Sequence, residues 1–432
     1  MQGGLSFDNA PPLAAPLRFF LTAPLFLVLA GLLLVYVGPD IFVSRWLPAT
    51  LAMVHLLTIG FMLQVMIGAL LQVLPVLAGA DIGKPLLVAR LVHPALTLGT
   101  LLLAAGFLLS SPGLFRLAAV LLATSLAVFL IAAGRGLAAQ PSTSPTIRGL
   151  KLSLLSLAVT VALGVTLALG LAHGWSLPYS DLTDLHAGWG LGAWGGVLLA
   201  AMAYVVVPMF QLTPGYPARP SWWFPPLIVA LLLLWTVAAA GGWHWLVAAC
   251  QLGLAATGMA FAGLTLRLQM QRRRARADAT SRYWQSGLLA AMTALLMLAA
   301  ATLWPPLTEL PAWTPLFAIL LIAGAFVSFI AGMLYKIVPF LAWLHLQHGI
   351  QVGMPAPNMN RLLADPAMQR QMRAHQLALV LLIAAAFLPD WLARPAGGAL
   401  AVAGGWLFWN LLQAALRYRQ QAAAIVARQQ AA

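Results

Sequence analysis

Residues 186–210 read HAGWGLGAWGGVLLAAMAYVVVPMF, with no Asp, Glu, Lys or Arg among them. As a helix this stretch is about 37 Å long, more than the roughly 30 Å hydrocarbon core of a bilayer. It is apolar on every face, so it fits neither a half-buried strand nor a surface helix and reads as a membrane span. Two other stretches echo it: HLLTIGFMLQVMIGALLQVLPV from His55 to Val76, and LLIAGAFVSFIAGMLYKIVPF from Leu320 to Phe340. Their prolines, Pro75, Pro208 and Pro339, recur at intervals of 133 and 131 residues. Gly68, Ala201 and Gly332 lie seven residues before each proline, and Leu71, Tyr204 and Tyr335 lie four before. A long period held this constant is the mark of a multi-helix unit used three times.

Working outward, apolar runs of about 20 residues recur along the whole chain. The sequence is 62% hydrophobic and 7% charged, with a mean hydropathy of +0.92. In lipid the backbone must satisfy its own hydrogen bonds, and nothing alternates with period two, so helices are expected rather than a barrel. The expectation is an all-α polytopic membrane protein, one membrane domain over residues 1–432, with about twelve transmembrane helices in three pseudo-symmetric four-helix arcs. The eleventh span is placed at 377–392. The first run, Phe19 to Val37, lacks a small-residue cleavage site after it and reads as an uncleaved span. Two basic linkers, RGLAAQPSTSPTIRGLK and RLQMQRRRARADATSR, follow the fourth and eighth spans and divide the repeats at approximately 15–134, 148–267 and 283–417.

The net charge is +14, and its distribution matters more than its size. With the N-terminus in the cytoplasm, 19 of the 23 Lys and Arg residues fall on the cytoplasmic side. Both termini are therefore expected inside, in a bacterial inner membrane. The RRRAR run is read as a topology and lipid-surface signal, and the bilayer, not nucleic acid, as the partner. The single cysteine, Cys250, excludes an intramolecular disulfide and any cysteine cluster. No phosphate loop, nucleophile elbow or zinc-protease motif is present, which weighs against ATP-driven pumps and hydrolases.

The candidate chemistry lies in histidines. His55 and His186 fall in the outer halves of spans two and six, where an imidazole needs a metal, a heme iron or a hydrogen-bond partner. A bond to a neighbouring carbonyl or hydroxyl is the plainer alternative. Counted from their prolines they sit at −20 and −22, about 200° apart around a helix, so one site repeated three times is excluded. His345 and His348 are spaced i, i+3, a chelating interval that interfacial histidines also show. The small residues Gly60, Gly68, Gly324 and Gly332 suit close helix packing or room for a porphyrin. Lys336 reads as a snorkelling cation, and Met53, Met62, Met66, Met202, Met209 and Met333 as apolar filler or soft ligands.

The three-arc arrangement, with the helix-opening phrases VHLLTIGF and LHAGWGLGAWGG, resembles the heme–copper oxidase subunit I superfamily and its side branch of NnrS-type membrane proteins. That resemblance implies His55 as a heme ligand and His186 as a copper ligand. It also implies a protein that binds heme and/or copper or handles nitric oxide, with other subunits of a membrane complex or a periplasmic redox partner. The oxidase pattern further requires a histidine pair on span seven, where this chain has WWFPP, and His-x-His in span ten, where it has Gly332, Met333, Leu334 and Tyr335. Oxygen reduction is therefore not expected. A metal-free transporter or channel for a small solute, or an accessory subunit, are the alternative readings of the same scaffold.

Overall fold

The structure, a computed structural model, describes residues 10–273, 277–348 and 358–431. Among them are twelve long helices and no strand. They are α1 (Ala14–Val37), α2 (Pro48–Ala78), α3 (Pro85–Leu108), α4 (Pro112–Ala138), α5 (Pro145–His173) and α6 (Tyr179–Gln211). The second half comprises α7 (Ala218–Ala240), α8 (His244–Met270), α9 (Ala279–Leu303), α10 (Trp313–Gln347), α11 (Asp365–Ala385) and α12 (Pro389–Ala431). Eleven of the twelve are long and apolar enough to cross a membrane. The chain is an all-α polytopic membrane protein.

Local signals explain many of the boundaries. Proline occupies the first turn of α2, α3, α4 and α5, where a missing N–H costs nothing. Ser144 and Asp278 cap α5 and α9 by accepting from the N–H groups of Ile147 and Ser281. Gly79 and Gly174 end α2 and α5 in the left-handed conformation. Pro75, Pro208 and Pro339 stand inside their helices rather than at the ends, because the chain continues helically beyond each one.

The helix α11 departs from the expected span at 377–392. It starts twelve residues earlier, at Asp365, and stops at Ala385 before the turn that leads into Pro389. Its first half carries Arg370 and Arg373, so its apolar part is short; it is the one long helix that fails the composition for crossing.

In chain order the twelve helices can be taken as three consecutive sets of four, α1–α4, α5–α8 and α9–α12. In the first set α1 and α3 both pack on α2, and α4 packs on α3; α5 and α7 flank α6 in the second, and α9 and α12 flank α10 in the third. The sets join through α4 on α5, α8 on α9 and α12 on α1, which closes the ring. That closure depends on small residues: a Cβ on Gly31 of α1 would lie 2.5 Å from the Gly397 carbonyl of α12, and one on Gly397 would lie 2.7 Å from the Gly31 carbonyl. The interior helices are α2, α6 and α10. They bury 78%, 50% and 72% of their most apolar stretch, against at most 44% for the other eight apolar helices.

All three interior helices widen to π geometry, over 56–63 in α2, 188–197 in α6 and 319–327 in α10. Each wide segment ends 11 or 12 residues before the helix's proline. Nothing in residue type announces them, since π turns arise from how a helix packs and are frequent at functional sites.

Candidate functional site

Two of the three π segments begin just after a histidine, and those histidines meet. The His55 and His186 ring centroids are 6.4 Å apart with planes 22° from parallel. The half-turn offset between their positions accounts for this. Equivalent residues would face the same way round the ring, whereas a residue offset by about half a turn faces back towards its neighbour.

Each ring is held in one tautomer. His55 Nδ1 lies 2.7 Å from the Leu51 carbonyl, one turn earlier on α2. His186 Nδ1 lies 3.1 Å from the Thr160 carbonyl on α5. A carbonyl only accepts, so both Nδ1 atoms carry the proton and both Nε2 atoms keep a lone pair when the rings are neutral. Among the described residues neither Nε2 has a hydrogen-bond partner. Phe107 of α3 stacks on His55 at 5.3 Å. His186 lies against the backbone of α5 at Gly164, where a Cβ would sit 2.9 Å from its Cε1.

The surroundings anchor the two helices. Arg45, just ahead of α2, pairs with Asp184 at 2.6 Å, two residues before His186, and lies over the Trp46 ring at 4.5 Å. Both members of that pair are 40% exposed, so it aligns the two helix starts more than it stabilises them. Trp189 Nε1 donates to Thr236 on α7 at 3.0 Å and fixes α6 one turn further in.

This donor set suits a metal with two nitrogen ligands. His55 and His186, with ring centroids 6.4 Å apart, would be the two residues to hold it. Among the described residues no group of three His, Cys, Asp or Glu converges, so any further ligand would come from outside that set. A porphyrin would additionally need a slab of space, and the glycines do not supply one. Phe26 covers Gly60, Phe19 and Phe20 cover Gly68, Ala290 covers Gly324 and Tyr283 covers Gly332. They are packing glycines.

Three further histidines, His93, His345 and His375, are engaged elsewhere. His345 turns Nδ1 to the Leu341 carbonyl at 2.9 Å and Nε2 to the Pro11 carbonyl at 3.0 Å, so neither ring nitrogen faces space for a metal. The His348 side chain lies outside the described residues. His93 bonds Thr22 at 2.8 Å, and His375 bonds Ser328 at 2.8 Å. Lys336 does not snorkel: it pairs with Asp278 at 2.6 Å, with side chains only 16% and 11% exposed. Burial alone would raise the Asp278 carboxyl, but the Lys336 ammonium and the Ser281 N–H outweigh it and hold it below the usual range.

Two features escaped the sequence. One is a buried network in the third set: Tyr283 and Tyr335 hydroxyls donate to Gln371 Oε1 at 2.7 and 2.9 Å, and Asn410 donates to the Tyr335 hydroxyl at 3.0 Å. The other is an apolar cavity of about 160 Å³ where α2, α6 and α10 meet, with Met66, Met202, Met209 and Met333 in its wall. The tyrosine four before Pro339 was a signal for the network, but its partners lie 36 and 75 residues away. Compared with known proteins, the chain matches no family model and no curated protein.

Proposed function

We propose that this membrane protein binds a redox-active metal, copper or the iron of a heme, through His55 and His186, and does not reduce oxygen. One observation supports this reading above the others: both rings donate Nδ1–H to a backbone carbonyl, which leaves, among the described residues, two unpartnered Nε2 lone pairs on rings whose centroids are 6.4 Å apart. Carbonyl-anchored imidazoles are the usual form of metal-binding histidine, because the second bond sets the tautomer and makes the ring a better donor. Copper is favoured over heme iron, since the space beside the glycines is filled by side chains. The bound metal would supply one-electron chemistry or a site for a small diatomic ligand such as nitric oxide. The chain's own residues orient and shield: Leu51 and Thr160 fix the ring planes, Phe107 covers one face of His55, and Arg45–Asp184 aligns the starts of α2 and α6. A bacterial inner membrane with both termini cytoplasmic, and a membrane-complex or periplasmic redox partner, belong to the same proposal.

The test is the optical spectrum of the purified protein, oxidised and dithionite-reduced, together with elemental analysis for copper. His55→Ala and His186→Ala should each abolish the signal, and His345→Ala should leave it intact. A second reading is favoured by the axial cavity, which at about 160 Å³ and with an almost wholly apolar wall is the right size for a benzene-sized solute. A preparation with neither a Soret band nor copper, from cells rich in both, would make that conduit the better account.

A further inference from the structure

At the end of the third set opposite the Arg45 clamp, α11 and α12 leave a groove of about 650 Å³ between them. Arg370 and Arg417, Trp406 and Trp409, and Asn410 and Gln413 line it. The residues from α12 fall at intervals of three and four, so one face of that helix forms the wall. Among the described residues neither guanidinium has a carboxylate partner: there Arg370 Nε bonds only the Pro366 carbonyl at 3.4 Å, and Arg417 only the Leu362 carbonyl at 3.3 Å. Asn410 is 4% exposed and is held on the floor by Tyr335 and the Ala367 carbonyl. Asp365 is the acidic residue nearest in sequence, in the first turn of α11.

The groove lies at the ends of two apolar runs, where a bilayer's headgroups would be met. The apolar run of α11 begins at Leu377, after Arg370, and that of α12 ends at Leu416, beside Arg417. Trp409 is 55% exposed, as expected of an indole at the membrane interface. We propose that this groove binds the phosphate of an anionic phospholipid headgroup, with the two arginines on the phosphate oxygens and the two tryptophans against the glycerol and upper acyl chain. Arginine forks match phosphate geometry, and basic pockets between membrane helices take such headgroups. Two arginines that lack a carboxylate partner among the described residues and converge on one groove distinguish this site from the scattered basic residues of the loops.

The test is native mass spectrometry of the delipidated full chain titrated with phosphatidylglycerol and, separately, with phosphatidylcholine. The wild type should prefer phosphatidylglycerol. At about 1 kcal/mol per arginine near the surface, Arg370→Gln should weaken that binding about fivefold and the double Arg370→Gln, Arg417→Gln variant about thirtyfold, with phosphatidylcholine, whose choline offsets the phosphate charge, losing less. Arg370 is exposed, so the single variant keeps the test sound if the double variant elutes as aggregate. The pair Arg116→Gln, Arg135→Gln removes the same charge elsewhere and should change nothing. An equal loss from that pair would overturn the proposal, as would absence of a phosphatidylglycerol preference. Displacement of the lipid by inorganic phosphate would assign the groove to a soluble anion instead and overturn its lipid source.

Discussion

Gly164→Ala is the sharpest probe of the histidine pair. Its Cβ would stand 2.9 Å from His186 Cε1, while an ordinary contact needs at least 3.4 Å, so the imidazole must retreat by about half an ångström. The ring is already at 3.1 Å from the Thr160 carbonyl that sets its tautomer, and Nε2 moves with it. A metal site tolerates displacements of about 0.5 Å at most, and losing a ligand's orienting bond typically costs 10–100-fold in metal affinity. The expected result is a loss of one to two orders of magnitude in Cu(I) affinity, read by competition with a chromogenic chelator. Overall stability should change little, since alanine favours the helix over glycine by roughly 0.5–1 kcal/mol and offsets part of the clash. Gly134→Ala and Gly263→Ala are the controls, because nothing lies within 4 Å of a Cβ at either position; they should leave affinity unchanged. Wild-type affinity in Gly164→Ala, alongside loss in His186→Ala, would refute the claim that the Thr160-anchored position of His186 sets binding.

Asp278→Asn should destabilise the protein by about 3 kcal/mol at pH 7, because it strands the buried Lys336 ammonium; Asp278→Asn with Lys336→Met should recover most of that, as followed by thermal unfolding in detergent. The Asp278 carboxyl is held low in the fold, so this stability is fully present above the ordinary carboxylate range and disappears only as pH falls through the depressed value. A stability loss between pH 5 and 8 assigned to this pair would contradict the reasoning. Tyr335→Phe removes the hydroxyl that accepts from Asn410 and donates to Gln371, and should cost about 1–3 kcal/mol in the same assay without altering metal content. Gly60→Ala drives a methyl into Phe26 and should destabilise by about 1–3 kcal/mol; a neutral result would mean α1 and α2 are looser than they look. Reporter fusions at Arg272 and at both termini should report cytoplasm, since 19 of 23 basic residues sort to that side.

Much of the architecture is present in the sequence because lipid admits few solutions. A run such as 186–210 must be a helix once it enters hydrocarbon, and prolines such as Pro48 and Pro85 mark where helices start. The proline-aligned small residues also singled out α2, α6 and α10, and these are the interior helices of the structure. The apolar run alone misplaced α11, since hydropathy does not register a helix that begins among Asp365, Arg370 and Arg373. What the tertiary structure decided is which polar groups meet. His55 and His186 are 131 residues apart in sequence, and only the packing of α2, α5 and α6 turns their rings towards one another and gives His186 the Thr160 carbonyl. Lys336 looked like a snorkelling cation until the start of α9 brought Asp278 to it, and His345 looked like half of a chelate until Pro11 filled its second nitrogen. The physical reason is one of range. Partition into lipid depends on each segment's own composition and is written locally, whereas a hydrogen bond or an ion pair requires a position fixed to a fraction of an ångström by helices that are remote in the chain.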